Sequence, residues 1–159
     1  MVKSGLLWIL LLCAETLTAQ RFEVVITELM GDPFPAVGLP AEEFIELTNV
    51  SRKNIDLSGW KLSNGRTTGV LPDGLQLAPD SILIICAEKV RHLFQPFGRT
   101  VAPDRFPVIA NSGDTLVLMN AGGQTIHAVA WNASMFPPDK ADGGWSLEMV
   151  NPKLACSFR

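Results

Sequence analysis

The chain has 159 residues, 47% of them hydrophobic, with 13 basic against 16 acidic side chains and a net charge of −3. Arg52 and Lys53 are the only adjacent basic pair, so there is no electrostatic footprint for nucleic acid. Three cysteines and two histidines, none of them clustered, do not form a zinc site.

Residues 1–19 read as a secretory signal peptide. Lys3 precedes an apolar run over 5–14, and small residues place the cut after Ala19, leaving Gln20 at the mature end. The run is roughly half of the about 20 apolar residues that a membrane span needs, and Glu15 interrupts it. No later stretch is long enough to span, so the product is expected to be secreted, periplasmic or held at the cell surface. Residues 20–159 then form one domain. With Cys13 removed, Cys86 and Cys156 remain as an even pair in an oxidising compartment, where a disulfide is expected. The other reading makes Cys86, at the end of the apolar run 82–86, a buried small hydrophobe and Cys156 a tail thiol.

Short strand-like runs follow in order: 22–30, 43–50, 55–62, 74–77, 81–87, 115–119, 126–131 and 145–150. Within 43–62, Phe44, Ile45 and Leu47 are strand formers, Asn49 to Asn54 are turn formers, and Ile55, Leu57, Trp60 and Leu62 resume an alternation, so this stretch predicts a hairpin-like unit. Turn chemistry such as Gly31-Asp32-Pro33, Ser63-Asn64-Gly65 and Asp142-Gly143-Gly144 separates the runs. One short helix is expected over 88–94, and the Pro-rich stretch 95–110 reads as loop. Eight short strands with turns at this spacing predict an all-β sandwich.

The order VVITELM, EFIELTNVS, IDLSGWKLS, LQLAPDSILIIC, NSGDTLVLMNAGGQTIHAVAW and DGGWSLE resembles the lamin tail domain family, closest to copies in secreted bacterial proteins. The resemblance covers about 22–156 and implies an immunoglobulin-like β-sandwich that serves as a binding or structural unit. Such copies commonly continue into a further strand. Here the chain stops at Arg159, which leaves two readings: a domain closed differently, or a truncated product lacking its last strand. An unpaired sheet edge would then be a pairing liability.

Catalytic arrangements do not assemble. Neither Ser58-Gly59 nor Ser112-Gly113 has glycines on both sides as a nucleophile elbow requires. Cys86 has no His near it in sequence, and His92 and His127 lie in unrelated segments, where exposed or edge positions are expected. The carboxylates Glu28, Asp32, Glu43 and Glu46 belong to the first two strands and their connection, so a hairpin could gather hard oxygen ligands suited to calcium. The simpler account puts Glu46 on the solvated face with Phe44, opposite Ile45 and Leu47. Trp60, Trp131 and Trp145 are expected in the core, whereas a Trp exposed beside Phe34 or Phe136 would make a carbohydrate or protein platform. Two sequons, Asn49-Val50-Ser51 and Asn132-Ala133-Ser134, matter in a host that glycosylates.

The function expected is a secreted, non-enzymatic module for adhesion or assembly, binding a protein or an extracellular polymer and needing no cofactor. The alternative is an accessory domain or fragment of a secreted hydrolase or nuclease that binds substrate or calcium.

Overall fold

A computed structural model describes residues 22–155. The segment 1–19 expected to be a signal peptide and Cys156 lie outside the described residues.

The strands are β1 (Val24–Met30), β2 (Phe44–Asn49), β3 (Ile55–Asp56), β4 (Lys61–Ser63), β5 (Thr68–Val70), β6 (Gln76–Leu77), β7 (Ile82–Ile85), β8 (Thr100–Val101), β9 (Gly113–Met119), β10 (Thr125–Asn132) and β11 (Leu147–Glu148). One sheet has the order β11-β1-β2-β7-β8, the other β10-β9-β4-β5, and β3 pairs with β6 alone. All pairs are antiparallel except β7 with β8. The domain is an all-β, immunoglobulin-like sandwich.

Alternation on β2 explains how the sheets face each other. Ile45, Leu47 and Asn49 point inward, and the two apolar ones join Leu83 and Ile85 from β7 and Leu62, Leu116 and Leu118 from the opposing sheet. Each such buried aliphatic side chain contributes about 2 kcal/mol. On β1 a bulge between Ile26 and Glu28 shifts the pattern by one, so Val24, Ile26 and Leu29 all face the core. Trp60 and Trp131 are buried there as expected.

The expected 43–62 hairpin does not form. β2 pairs with β1 and β7, whereas β3 leaves to pair with β6. The run 55–62 splits into β3 and β4 because Gly59, at φ 68°, turns the chain between them. The turn residues do bond as their chemistry predicts: Asn49 Oδ1 accepts from the Ser51 amide and hydroxyl.

Two strands were not anticipated. β5 lies in the turn-like sequence Thr67-Thr68-Gly69, and Gly69 is pressed so close to the Arg105 carbonyl that a Cβ would sit 1.9 Å from it. β8 is two residues long in the Pro-rich stretch expected to be loop. The helical segment appears where expected, as a 3-10 turn Glu88–Val90 and α1 (Arg91–Phe94). Short as it is, it covers the outer face of β2 and β7, where Phe44 and Ile84 pack with Met30, Cys86, Val90 and Phe94. The face expected to be solvated is therefore buried at Phe44 and opens only toward Glu46 and Thr48.

Candidate functional site

The four carboxylates proposed as ligands separate into three places. Glu28 and Glu46 are register partners on β1 and β2, and Glu148 of β11 stands opposite Glu28 on its other side, so three glutamates form a row across the outer face. Glu46 Oε1 accepts from the Thr27 hydroxyl, which also meets the Thr48 hydroxyl at 2.9 Å. Glu28 Oε1 accepts from the Ser146 hydroxyl. Burial raises the Glu28 pKa, and repulsion from Glu46 and Glu148 adds to the rise while the Ser146 bond opposes it. Glu43 is elsewhere: its Oε2 accepts from the Ile109 amide at 3.0 Å, and burial raises its pKa against that bond. Asp32 lies in the loop after β1, where its carbonyl accepts from the Gly144 amide at 2.7 Å. Among the described residues no group of three or more His, Cys, Asp or Glu is placed to hold a metal ion.

The nucleophile and base candidates are also apart. Cys86 is fully buried and unpaired among the described residues, and burial, with repulsion from Glu88, pushes its thiol up to about 11. Its expected partner, Cys156, falls outside the described residues. His92 is exposed on α1. His127, expected at an exposed or edge position, is instead 5% exposed, and its Nδ1 accepts from the Ile26 amide at 3.1 Å. Ile26 borders the β1 bulge and His127 borders a register irregularity on β10, so each sits where its own ladder is interrupted. Burial lowers the His127 pKa, so the ring is held neutral with Nδ1 as acceptor. Nothing in the sequence of β1 announced the bulge, so this inter-sheet bond could not be read in advance.

The aromatic residues behave differently. Trp145, expected in the core, is 37% exposed in the loop before β11, with Lys140 Nζ 4.2 Å from its ring centre. Phe136, Lys140 and Asp32 line a small cleft beside it. Phe34 is 64% exposed and shares with Val108, which is 63% exposed, a groove of about 470 Å³ that also touches Phe106 and Lys89. The two loops are locked together through their backbones. A Cβ on Gly143 would lie 1.9 Å from the Phe34 carbonyl, and one on Gly144 would lie 1.9 Å from the Pro35 carbonyl. Phe34, Val108 and Trp145 thus share one end of the sandwich, the condition under which the sequence pointed to a platform.

The family model described as Lamin Tail Domain matches residues 18–133. The chain belongs to the lamin tail domain family. The matched span contains β1 to β10, so Phe34 and Val108 lie within the lamin tail match while Phe136, Lys140, Trp145 and β11 lie beyond it. A search of the curated proteins finds no match. No helix among the described residues is long and apolar enough to cross a membrane.

Proposed function

We propose that this lamin tail domain is an exported, non-catalytic module that binds an extracellular protein or polymer through its aromatic end loops, in adhesion or assembly. The observation that carries the reading is the gathering of solvent-facing Phe34, Val108 and Trp145 at one end of a sandwich whose core closes without them. Exposed apolar surface rimmed by Lys140, Asp32 and Lys89 is the pattern of a recognition face rather than of a solvated loop. Its indole face and polar rim suit the C–H face of a sugar ring or an apolar side chain of a protein partner. Export rests on the leader pattern of residues 1–19. The non-catalytic part is supported by the burial of the Cys86 thiol and by the commitment of His127 to the Ile26 amide.

Sedimentation with insoluble peptidoglycan, with chitin and with envelopes of the producing cells tests the proposal. The wild-type chain is retained by one of them, and a Phe34→Ala, Trp145→Ala variant with unchanged melting is not. Equal retention of both, retention of neither, or release of soluble fragments by the wild type overturns it.

The accessory-domain reading with calcium has one observation to lean on: Glu28 is the register partner of both Glu46 and Glu148, and no ion pair reaches any of the three among the described residues, although they do not form a group placed to hold an ion. Calorimetric titration with calcium, repeated on Glu28→Gln, decides this. Neither heat nor thermal shift in the wild type discards calcium.

A further inference from the structure

We propose that Asn132 is an N-glycan acceptor, and that the other Asn-X-Ser sequon, at Asn49, is closed in the folded domain. The site would take a lipid-pyrophosphate-linked oligosaccharide, and its use in the cell rests on the export reading above.

Both sequons fold into the same local turn. Asn49 Oδ1 accepts from the Ser51 amide at 2.9 Å and from the Ser51 hydroxyl at 2.7 Å. Asn132 Oδ1 likewise accepts from the Ser134 amide at 3.0 Å and from the Ser134 hydroxyl. This Asx turn draws electron density toward the amide oxygen and brings the sequon hydroxyl against it. The difference lies in the nitrogen, which is the atom that must react.

Asn49 Nδ2 donates to the Lys53 carbonyl at 2.8 Å and to the Leu77 carbonyl at 2.8 Å, and the residue is 0% exposed. Both of its protons are committed, and no glycosyl donor can reach it. A glycan there would replace one of those protons and leave one of the two carbonyls without its donor beneath the β3–β6 pair. Asn132 is the last residue of β10 and caps the 3-10 turn Ala133–Met135. Its side chain is exposed, its Nδ2 makes no hydrogen bond among the described residues, and Ala133, Ser134 and Met135 beside it are exposed too. The middle residue is Ala, so the backbone is not locked as a proline would lock it.

The transfer balances with a donor of that class. Asn132 Nδ2 attacks the anomeric carbon, the new N–C bond forms as the C–O bond to pyrophosphate breaks, and the electron pair leaves with the lipid pyrophosphate. One amide proton passes to a base of the transferase. No redox partner is needed.

The test is translation of the chain into endoplasmic-reticulum microsomes, once with its own leader and once with a heterologous leader ahead of Gln20. A failed leader loses glycosylation in the first arm only, whereas a failed acceptor loses it in both. Material resistant to trypsin is the folded fraction, and peptide mapping after enzymatic release of the glycan reads the site. The expected result is glycan at Asn132, abolished by Ser134→Ala, and a trypsin-resistant fraction without glycan at Asn49, unchanged by Ser51→Ala. These variants remove each sequon while leaving both Asn side chains in place. An unmodified Asn132 behind the heterologous leader overturns the proposal. So does trypsin-resistant protein carrying glycan at Asn49.

Discussion

The two ends of β2 use their loops in opposite ways. At one end Asn49 is buried beneath the turn and holds Ser51, Lys53 and Leu77 by four hydrogen bonds, so the polar side chain does structural work in place of a core residue. About 20 Å away, the length of a six-residue strand, loops carrying Phe34, Val108 and Trp145 leave apolar side chains in solvent. Polarity is therefore a poor guide to which loop the fold itself needs here. The polar loop serves the fold, and the apolar loops are available to a partner.

The sharpest way to break this contrast is to delete the buried amide. Asn49→Ala leaves the Lys53 and Leu77 carbonyls without their donor, and chemical denaturation should record a loss of about 3 kcal/mol. A loss under about 1 kcal/mol would mean that water replaces the amide and that the end is no more structural than its opposite. Trp145→Ala should do the reverse: a change in stability within about 1 kcal/mol, and at least a tenfold drop in binding to whichever matrix retains the wild type.

The middle of the molecule should respond to pH. The folded pKa of His127 is lowered, so its contribution to stability is fully present above the unfolded value near 6.5 and is lost as pH falls below it toward the folded value. Glu28 and Glu43 have raised folded pKa values and act with the opposite sign, gaining stability as pH falls toward the unfolded value near 4.5. His127→Asn places a non-titrating acceptor near the same position. Denaturant midpoints should show the wild type losing stability relative to this variant between pH 7 and pH 5.5, with a constant difference above pH 7. A difference that stays flat throughout would show that the Ile26 bond is indifferent to protonation. The smallest effect belongs to the outer row: Glu28→Gln relieves repulsion from Glu46 and Glu148 and should raise stability by about 0.5 kcal/mol at pH 7.

Much of the fold was legible because alternation on β2, the apolar runs of β7 and β9 and the turn residues between them are local signals. The family was legible for the same reason, since its segments recur in order. What escaped were features decided by partners far away in sequence. Gly59 ends a run that looks continuous, β5 and β8 exist only because β4 and β7 offer edges, and His127 acquires its role from the Ile26 amide, far earlier in the chain. Of the site, the aromatic condition could be written down from Phe34 and Phe136, but the exposure of Trp145 depended on how its loop docks. The carboxylates do not gather at one place because Glu43 and Asp32 are neighbours of Glu28 in sequence order and not across the sheet.

The backbone clasp of Gly143 and Gly144 against Phe34 and Pro35 also bears on how this surface could be diversified. Because the loops meet through main-chain atoms, their relative placement owes little to the side chains around the seam. Positions 34, 136 and 145 can then be randomised as a display library on an unchanged backbone, provided that 143 and 144 stay glycine. A single alanine at either glycine would move both loops and scramble every member of such a library at once.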